Sequence, residues 1–335
     1  MNVTHPSAIP GASRSSMSQA PKARTPAIAL EEAAQDLAAK LPALLVEARR
    51  VASTVAQGTH GRRRPGPGET FWQYRSFEQG DSATLIDWRR SAGSSHLFVR
   101  EREWEAAHTV WIWIDLTPSM HFRSHLSKAS KAERAIVLAL ALASLLSDAG
   151  ERVGIPGLMQ AKAGHGTAAL MVETLARSLS GPAAKSLPDA KHRLGRHSEL
   201  AIFSDFLEAP DKLAAAFSAI ARQGVRGHIV QVLDPAEESL PYQGRVEFFD
   251  EETDARYVAE RAESLRESYL KRLAAHKAAI AFHARGLGWT PFLHHTNRPA
   301  VEALLPLHMH LSGLEKAYRA KGTLKGELGG EAGPA

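Results

Sequence analysis

Apolar residues of this chain fall into short runs of strand length that alternate with longer stretches of helical period. Most of the short runs are apolar without interruption, which is typical of strands covered on both faces of a sheet. A chain in which strands and helices alternate forms a mostly parallel sheet flanked by helices. The pattern therefore predicts an α/β fold. The predicted strands are residues 110–114, 152–158, 200–203, 228–233 and 291–295.

Helical periodicity predicts the elements around these strands. Residues 30–55 place leucines at three- and four-residue steps, and Pro42 is expected to start a second helix there. Residues 97–104 alternate instead, which indicates an exposed or edge strand ahead of the sheet. The other predicted helices are residues 82–89, 128–148, 168–179, 211–223, 254–285 and 299–311.

Composition narrows the classes of protein that the chain can belong to. The 335 residues are 44% hydrophobic and 23% charged, so a folded core is expected rather than wholesale disorder. The chain has no cysteine, which excludes disulfide scaffolds, thiolate zinc sites, iron–sulfur clusters and a cysteine nucleophile. The longest mostly apolar run, residues 135–146, is shorter than the roughly 20 residues of a bilayer span. We therefore expect a cytoplasmic protein without a membrane span.

Shifts in composition divide the chain into four predicted parts. Residues 1–29 are rich in Ser, Pro, Ala and Gly and contain no acidic residue, as expected of a disordered tail without a secretory signal. Residues 30–108 are predicted to form an N-terminal block of helices, a loop and an edge strand. Residues 109–312 form the predicted α/β domain, and residues 313–335 form a glycine-rich tail.

The distribution of charge argues against a nucleic-acid-binding protein. The formal net charge is only +5, so binding would need a local basic patch. The candidate patch, residues 62–105, contains eight basic residues but also seven acidic ones. This balance indicates internal ion pairs, and no nucleic-acid partner is expected.

Oxygen-bearing side chains follow two of the predicted strands. Asp115, Thr117 and Ser119 come directly after the first buried strand, and Asp205 follows the strand at residues 200–203. The carboxyl ends of parallel strands meet at one edge of a sheet, where ligands of such folds bind. Carboxylates and hydroxyls suit Mg²⁺ or Mn²⁺, with a coordination position left for a partner's carboxylate. Asp205 is expected to act through water, and Thr167 is a candidate further ligand.

Other interpretations of these residues remain open. Thr167 is equally well explained as a helix cap. Asp205 has a less favoured alternative explanation as a turn residue. A metal-dependent hydrolase, such as a phosphatase or nuclease, could use the same cavity with His121, His165 or Asp205 as its general base. A third possibility is a scaffold whose cavity holds no metal.

Two sets of residues resemble known families. Asp115-x-Thr117-x-Ser119 resembles the metal-ion-dependent adhesion site (MIDAS) of von Willebrand factor A domains, with Thr117 keeping the hydroxyl of the commoner serine. A longer upstream segment and the turn at residues 234–237 resemble the signature of the bacterial DUF58 family. The upstream residues that we assign to an interaction or structural motif are Arg75, Gly80, Asp81, Asp87, Trp88 and Arg89.

The resemblance implies a von Willebrand A-like, Rossmannoid domain over residues 109–312, preceded by a DUF58 block over residues 30–108. It also implies a non-enzymatic protein-interaction role, with a MoxR-type AAA+ ATPase as partner in the assembly or maturation of a complex. The charged residues of the upstream motif are expected to form either a buried network shielded by Trp72 and Trp88, or a docking surface for the ATPase.

Overall fold

The computed structural model describes residues 26–59, 71–77, 86–94, 96–102, 108–179, 185–249 and 255–312. Their fold has a six-stranded, mostly parallel sheet with helices on both faces, so the α/β prediction is confirmed. The strands are β1 Phe71–Ser76, β2 Phe98–Arg102, β3 Thr109–Ile114, β4 Arg152–Ile155, β5 Met159–Lys162, β6 Glu199–Ser204, β7 Arg226–Leu233, β8 Val246–Phe249, β9 Arg256–Ala259 and β10 Thr290–His295. The helices are α1 Pro26–Thr59, α2 Trp88–Ser91, α3 Lys131–Asp148, α4 Thr167–Leu179, α5 Pro210–Ala221, α6 Pro235–Ser239, α7 Ala262–Gly286 and α8 Val301–Leu311, with a 3-10 helix at Pro118–His121.

The sheet is wound in two directions from strand β3. Its strand order is β10-β7-β6-β3-β4-β5, and every neighbouring pair is parallel except β4 and β5. From β3 the chain passes outward to β4 and β5, and then returns to the other side of β3 to form β6, β7 and β10. The direction of winding therefore reverses between β3 and β6. Open α/β sheets bind ligands at such a point, beyond the carboxyl ends of the strands.

Side chains of β3 serve both faces of the sheet. Alternate residues beginning with Val110 enter a core shared with α1, α3, α4 and α8. Trp111 and Trp113 pack against the other core, which involves α5 and α7. The Trp111 indole N–H donates to the Leu194 carbonyl at 2.7 Å. The Trp113 indole N–H donates to the Ser186 carbonyl at 3.0 Å, so the segment between α4 and β6 satisfies both half-buried indole donors.

The N-terminal helix α1 packs directly on the main core of the sheet. Leu37, Leu41 and Ala48 are buried there together with residues of α3. Pro42 does not start a second helix, because α1 runs through it as one helix whose apolar face stays against α3. The predicted domain boundary between residues 108 and 109 remains a prediction.

Two sequence predictions are wrong where strands pair locally. Residues 152–158 do not form one strand, because the chain turns at Gly157, with a φ of +70°, and β5 returns antiparallel to β4. The predicted helix 254–285 begins only at Ala262, because β9 pairs with β8 before it. The other predicted strands of the main sheet lie close to their predicted positions.

The segment ahead of the sheet forms its own antiparallel pair, β1 with β2, so the predicted edge strand is confirmed. Residues 26–29 of the predicted N-terminal tail begin α1. The rest of that tail and residues 313–335 lie outside the described residues, as do residues 82–85 of the predicted helix 82–89. The described half of that prediction is helical only from Trp88, because Asp87 caps α2 there. Among the helices that the structure describes, none combines the length and the apolar character that crossing a bilayer requires.

A glycine beneath Trp289 tests the packing of the second core. A Cβ added at Gly227 would lie 2.0 Å from the Trp289 indole. We expect Gly227→Ala to lower the free energy of unfolding by about 1–3 kcal/mol, because the buried ring cannot move aside without strain. Urea denaturation measures this loss. The control is Gly286→Ala, whose Cβ meets no atom within 4 Å, with an expected change below about 1 kcal/mol. Equal losses in both variants would contradict this packing.

Candidate functional site

The residues that follow β3 and β6 meet where the winding of the sheet reverses. The Asp115 backbone N–H donates to the Phe203 carbonyl at 2.8 Å, which carries the pairing of β3 and β6 to the end of both strands. A cavity of about 240 Å³ opens there. We call it the carboxyl-edge cavity, and its lining includes Asp115, Ser119, Ser204, Asp205, Leu207 and Glu208.

Asp115 is the centre of a cluster of hydroxyl groups. Its side chain is 1% exposed. One carboxylate oxygen, Oδ1, accepts the Thr117 backbone N–H at 2.9 Å and the Thr117 hydroxyl at 2.6 Å. The other, Oδ2, accepts the Ser204 hydroxyl at 2.6 Å. The Thr117 and Ser119 hydroxyls are 3.4 Å apart, so the structure brings together three residues of the predicted site and adds Ser204.

Burial makes the charged form of Asp115 costly. It raises the pKa of this carboxyl group from 3.8 to about 6, against the opposing effect of the hydrogen bonds from Ser204 and Thr117. The nearby negative charge of Asp205 also raises this pKa. A cation bound in the cavity would therefore stabilise the ionised form of Asp115, which burial disfavours.

Asp205 is held by a lysine that the sequence analysis missed. Lys131, the first residue of α3, is 1% exposed, and its Nζ lies 2.8 Å from Asp205 Oδ2 and 2.6 Å from Glu237 Oε1. Burial alone would lower the pKa of Lys131, but the two carboxylates outweigh it and raise the pKa. Lys131 is therefore a buried ammonium group that joins the residue after β6 to α6.

The turn after β7 completes this polar network. Asp234 caps α6, and its backbone N–H donates to Glu237 Oε2 at 2.8 Å. Asp234 Oδ1 accepts the Ser124 hydroxyl at 2.5 Å, which ties the loop after the 3-10 helix to the same turn. Burial raises the pKa of Glu237, while Lys131 opposes this rise. The residues that resemble the DUF58 downstream turn thus form a capping box that orients the partner of Lys131.

The donors around the cavity fit a hard cation in type and in charge. Asp115, Ser119, Ser204 and Asp205 present only oxygen atoms, which suit Mg²⁺ or Mn²⁺. Among the described residues, no group of three or more His, Asp or Glu side chains could hold a metal ion, so the hydroxyls are essential to such a site. The described residues of this cluster include three carboxyl groups, those of Asp115, Asp205 and Glu237, but one buried ammonium, that of Lys131, which pairs with Asp205 and Glu237.

Thr167 lies away from this cluster. Because β5 is antiparallel to β4, it ends with Lys162 beside Val153, near the start of β4. The chain therefore enters α4 from the amino-terminal edge of the parallel strands, opposite to Asp115. There the Thr167 hydroxyl donates to the Gly164 carbonyl at 2.8 Å, as the first residue of α4. The structure does not bring Thr167 to the other candidate ligands.

The upstream motif is only partly described. Arg75 lies in β1 opposite Val99, and Gly80 and Asp81 lie outside the described residues. Asp87 caps the short helix α2 by accepting the Arg90 backbone N–H at 3.0 Å.

Two further motif residues, Trp88 and Arg89, lie at the surface. The predicted shielding by Trp88 is wrong, because this side chain is the first of α2 and is 63% exposed. The assignment of the motif to docking or to scaffolding remains a prediction.

One sequence signal could have identified Lys131. It stands at the first position of α3, next to the cap residue Ser130, where the positive end of the helix dipole disfavours a cation. A lysine in this position, before a strongly apolar helix, therefore needs acidic partners elsewhere in the fold. Its partners Asp205 and Glu237 are 74 and 106 residues away, so only the tertiary structure identifies them.

Removing the ammonium of Lys131 should destabilise the fold strongly. Lys131→Met leaves Asp205 and Glu237 buried without their counter-charge, and we expect a loss of about 3–5 kcal/mol in the free energy of unfolding. Lys40→Met, which removes a half-exposed lysine paired with Glu133, should cost no more than about 1 kcal/mol. Chemical denaturation of both variants measures the difference, and similar small losses would contradict the role of Lys131.

The raised pKa of Asp115 predicts how the stability of the protein depends on pH when no divalent cation is present. Between pH 3.8 and about 6 the folded state retains a proton on Asp115 that the unfolded state has released. The contribution of this group to stability therefore falls as pH rises through that window. Asp115→Asn cannot ionise, so its stability relative to wild type should increase from pH 4 to pH 7, by at most about 3 kcal/mol. Denaturation curves with chelator measure it, and parallel pH profiles would refute it.

Comparison with known proteins places this chain in a family. Uncharacterized proteins of Mycobacterium bovis and Mycobacterium tuberculosis are 28% identical over 265 residues, which cover 75% of this chain and 82% of theirs. The crystal structure of the conserved hypothetical protein BatB from Bacteroides thetaiotaomicron is 15% identical and is covered completely by 63% of this chain, with a TM-score of 0.36. Residues 73–279, more than half of the chain, match the family described as "Protein of unknown function DUF58". The chain therefore belongs to the DUF58 family.

Proposed function

We propose that this protein is a non-enzymatic interaction module with a von Willebrand A-like domain, and that it binds an acidic partner through Mg²⁺ or Mn²⁺ at the carboxyl-edge cavity. The observation that carries the proposal is the buried carboxyl group of Asp115 at the wall of an open cavity. Neutral hydroxyls and a second carboxylate, that of Asp205, surround it. The buried ammonium of Lys131 is already paired with Asp205 and Glu237.

Each residue has a distinct task in this proposal. Asp115 and Ser119 line the cavity and would hold the cation directly. Thr117 contacts Asp115 through both its backbone N–H and its hydroxyl, so it orients the carboxylate. Asp205 would act through water, because Lys131 already occupies one of its oxygens. The bound ion would supply positive charge and an open coordination position for a carboxylate of the partner.

The rim of the cavity offers an apolar contact beside this polar centre. Leu207, two residues after Asp205, lines the cavity and is 43% exposed. Protein interfaces commonly place apolar contacts next to a few oriented polar groups. An acidic residue of the partner next to an apolar one would match both features. Following the family resemblance, the partner that we propose is a MoxR-type AAA+ ATPase.

The geometry offers less support for a hydrolase. Of the three possible general bases, His165 lies at the start of α4 on the opposite edge of the sheet. Asp205 is paired with Lys131. His121 ends the 3-10 helix after Ser119 and does not line the cavity. A panel of phosphatase and nuclease substrates with Mg²⁺ or Mn²⁺ discriminates between the proposals, since metal-dependent turnover that Asp115→Ala abolishes would favour the hydrolase.

Isothermal titration with MgCl₂ and MnCl₂ tests the metal site. We expect saturable binding by the wild type and a higher melting temperature with the ion, because binding to the folded state alone stabilises it. Asp115→Ala should lose both effects, and Ser119→Ala should bind at least about tenfold more weakly, a loss of about 1.4 kcal/mol. The matched control is Asp36→Ala, an exposed aspartate of α1, which should bind as the wild type does. Equal heats for wild type and Asp115→Ala would remove the metal site.

A binding assay with the purified ATPase tests the partner. Retention of the ATPase on immobilised protein should fall in chelator and with Asp115→Ala, and should persist with Asp36→Ala. Retention that is unaffected by chelator and by Asp115→Ala would contradict metal-mediated docking.

A further inference from the structure

Helix α7 buries only a narrow side against the rest of the protein. Of its 25 residues, four are buried, namely Ala262, Leu273, Ile280 and Ala284. Ile280 and Ala284 belong to the core that α7 shares with α5. The other residues of α7 are exposed or half-buried, in contrast to α3, which is buried on almost every side. Most of the surface of α7 is therefore accessible to a partner.

Five exposed residues form a seam along the side of α7 that faces away from the core. They follow one another at steps of four, three, four and three residues, and they are Lys271, Ala275, Ala278, Phe282 and Arg285. We call them the outer seam. Phe282 comes two residues after the buried Ile280, and two residues turn a helix by about 200°, so the seam lies opposite the buried side. Alternating steps of three and four residues are the spacing along which a second helix packs.

Phe282 is the apolar centre of the outer seam. Its side chain is 73% exposed, more than any other large apolar side chain that the structure describes. Its ring contacts that of the neighbouring His283, with the ring centroids 5.7 Å apart. Ala275 and Ala278 carry only a methyl group, so a second helix can approach α7 closely beside the phenyl ring. The seam therefore offers an aromatic anchor on an otherwise flat surface, a feature that is typical of protein interfaces.

The positive charge along this part of α7 is not compensated by the helix itself. Residues 268–286 contain no acidic residue, and their lysines and arginines are Lys271, Arg272, Lys277 and Arg285. Lys277 pairs with Glu238, whereas the other three are exposed and make no ion pair with any residue that the structure describes. The helix dipole favours a cation at Arg285, in the last turn, but not at Lys271 near the middle. Carboxylates at both ends of the seam would match these charges.

The same charges argue against a second copy of this chain as the occupant of the seam. If two α7 helices packed antiparallel about Ala278, Lys271 of one copy would face Arg285 of the other. Parallel packing would place each of these cations against its equivalent, so like charges oppose both arrangements. A lipid surface is also a poor match, because an interfacial helix inserts several large apolar side chains and the outer seam contains one.

We propose that the outer seam docks an acidic amphipathic helix of a partner protein. The apolar stripe of that helix covers Phe282 and the two alanines, and Asp or Glu side chains near its ends pair with Lys271 and Arg285. These two cations are 14 residues apart, so at about 1.5 Å per residue the docked helix spans roughly 21 Å. No residue of the seam lines the carboxyl-edge cavity, so this docking does not depend on the proposed metal site.

Fluorescence anisotropy with a designed peptide tests this proposal on the full-length protein. The probe is a stapled helical peptide of about 18 residues, with leucines at alternating three- and four-residue steps and glutamates in its first and last turns. We expect saturable binding of this peptide, and none of a peptide in which lysines replace the glutamates. Phe282→Ala should raise the Kd at least fivefold. Tyr257→Ala, which truncates an exposed aromatic residue of β9, should leave the Kd unchanged.

Reversal of the two end charges distinguishes docking from a structural role. Lys271→Glu combined with Arg285→Glu should weaken binding of the acidic peptide at least tenfold and create binding of the lysine peptide, a gain that a damaged fold does not produce. Arg193→Glu combined with Arg196→Glu, which reverses two exposed charges ahead of β6, is the matched control and should change neither. Asp115→Ala should bind normally, which separates this result from the test of the metal site.

Several outcomes would overturn the proposal. These are no saturable binding of the acidic peptide, binding by Phe282→Ala as tight as by the wild type, or a double reversal that does not exchange the preference between the peptides. Tighter binding to phosphatidylserine vesicles or to a DNA duplex than to the acidic peptide would instead assign the seam to a membrane or a nucleic acid. Dimerisation that Phe282→Ala abolishes would assign it to a second copy of this chain.

Discussion

The buried ammonium of Lys131 is the interaction on which the carboxyl edge of the sheet depends. It neutralises Asp205 after β6 and Glu237 after β7, and so holds together loops from two neighbouring strands. As a source of stability it is poor, because the attraction among three buried charges is largely offset by the loss of their hydration. The start of α3 also disfavours a cation. Its contribution is positional: it fixes Asp205 beside the cavity that Asp115 lines.

Asp115 is the counterpart of that arrangement. Its carboxyl group is as deeply buried as Lys131, yet its hydrogen bonds come only from neutral groups, the backbone and hydroxyl of Thr117 and the hydroxyl of Ser204. These bonds orient the carboxylate without cancelling its charge, and burial raises its pKa to about 6 in spite of them. The cavity therefore combines a fixed geometry with missing positive charge, a combination that favours binding over stability.

Much of this fold follows from local sequence pattern, whereas the site follows from it only in part. Strand-length apolar runs identify the parallel strands, and the rule that ligands bind beyond strand ends brings Asp115 and Asp205 to one edge. The same rule misplaces Thr167, because a four-residue strand reverses the chain before α4. The partners of Lys131 cannot be predicted from the sequence, because they are 74 and 106 residues away in the chain. The helix over 254–285 fails because pairing with β8 overrides helical propensity in β9.

Helix α3 links the two edges and also keeps their chemistry apart. Lys131 begins it and Ser147 lies in its last turn, and 18 residues at about 1.5 Å each separate the ends by roughly 27 Å. At that distance two unit charges interact by only about 0.6 kcal/mol at an effective dielectric constant of about 20, so charges at one edge have little direct effect on the other. The Ala- and Leu-rich interior of α3 is almost wholly buried, so the helix is held in place along its length. A substitution confined to one edge of the sheet therefore reports on that edge, which is why the proposed metal site can be tested without disturbing the start of α4.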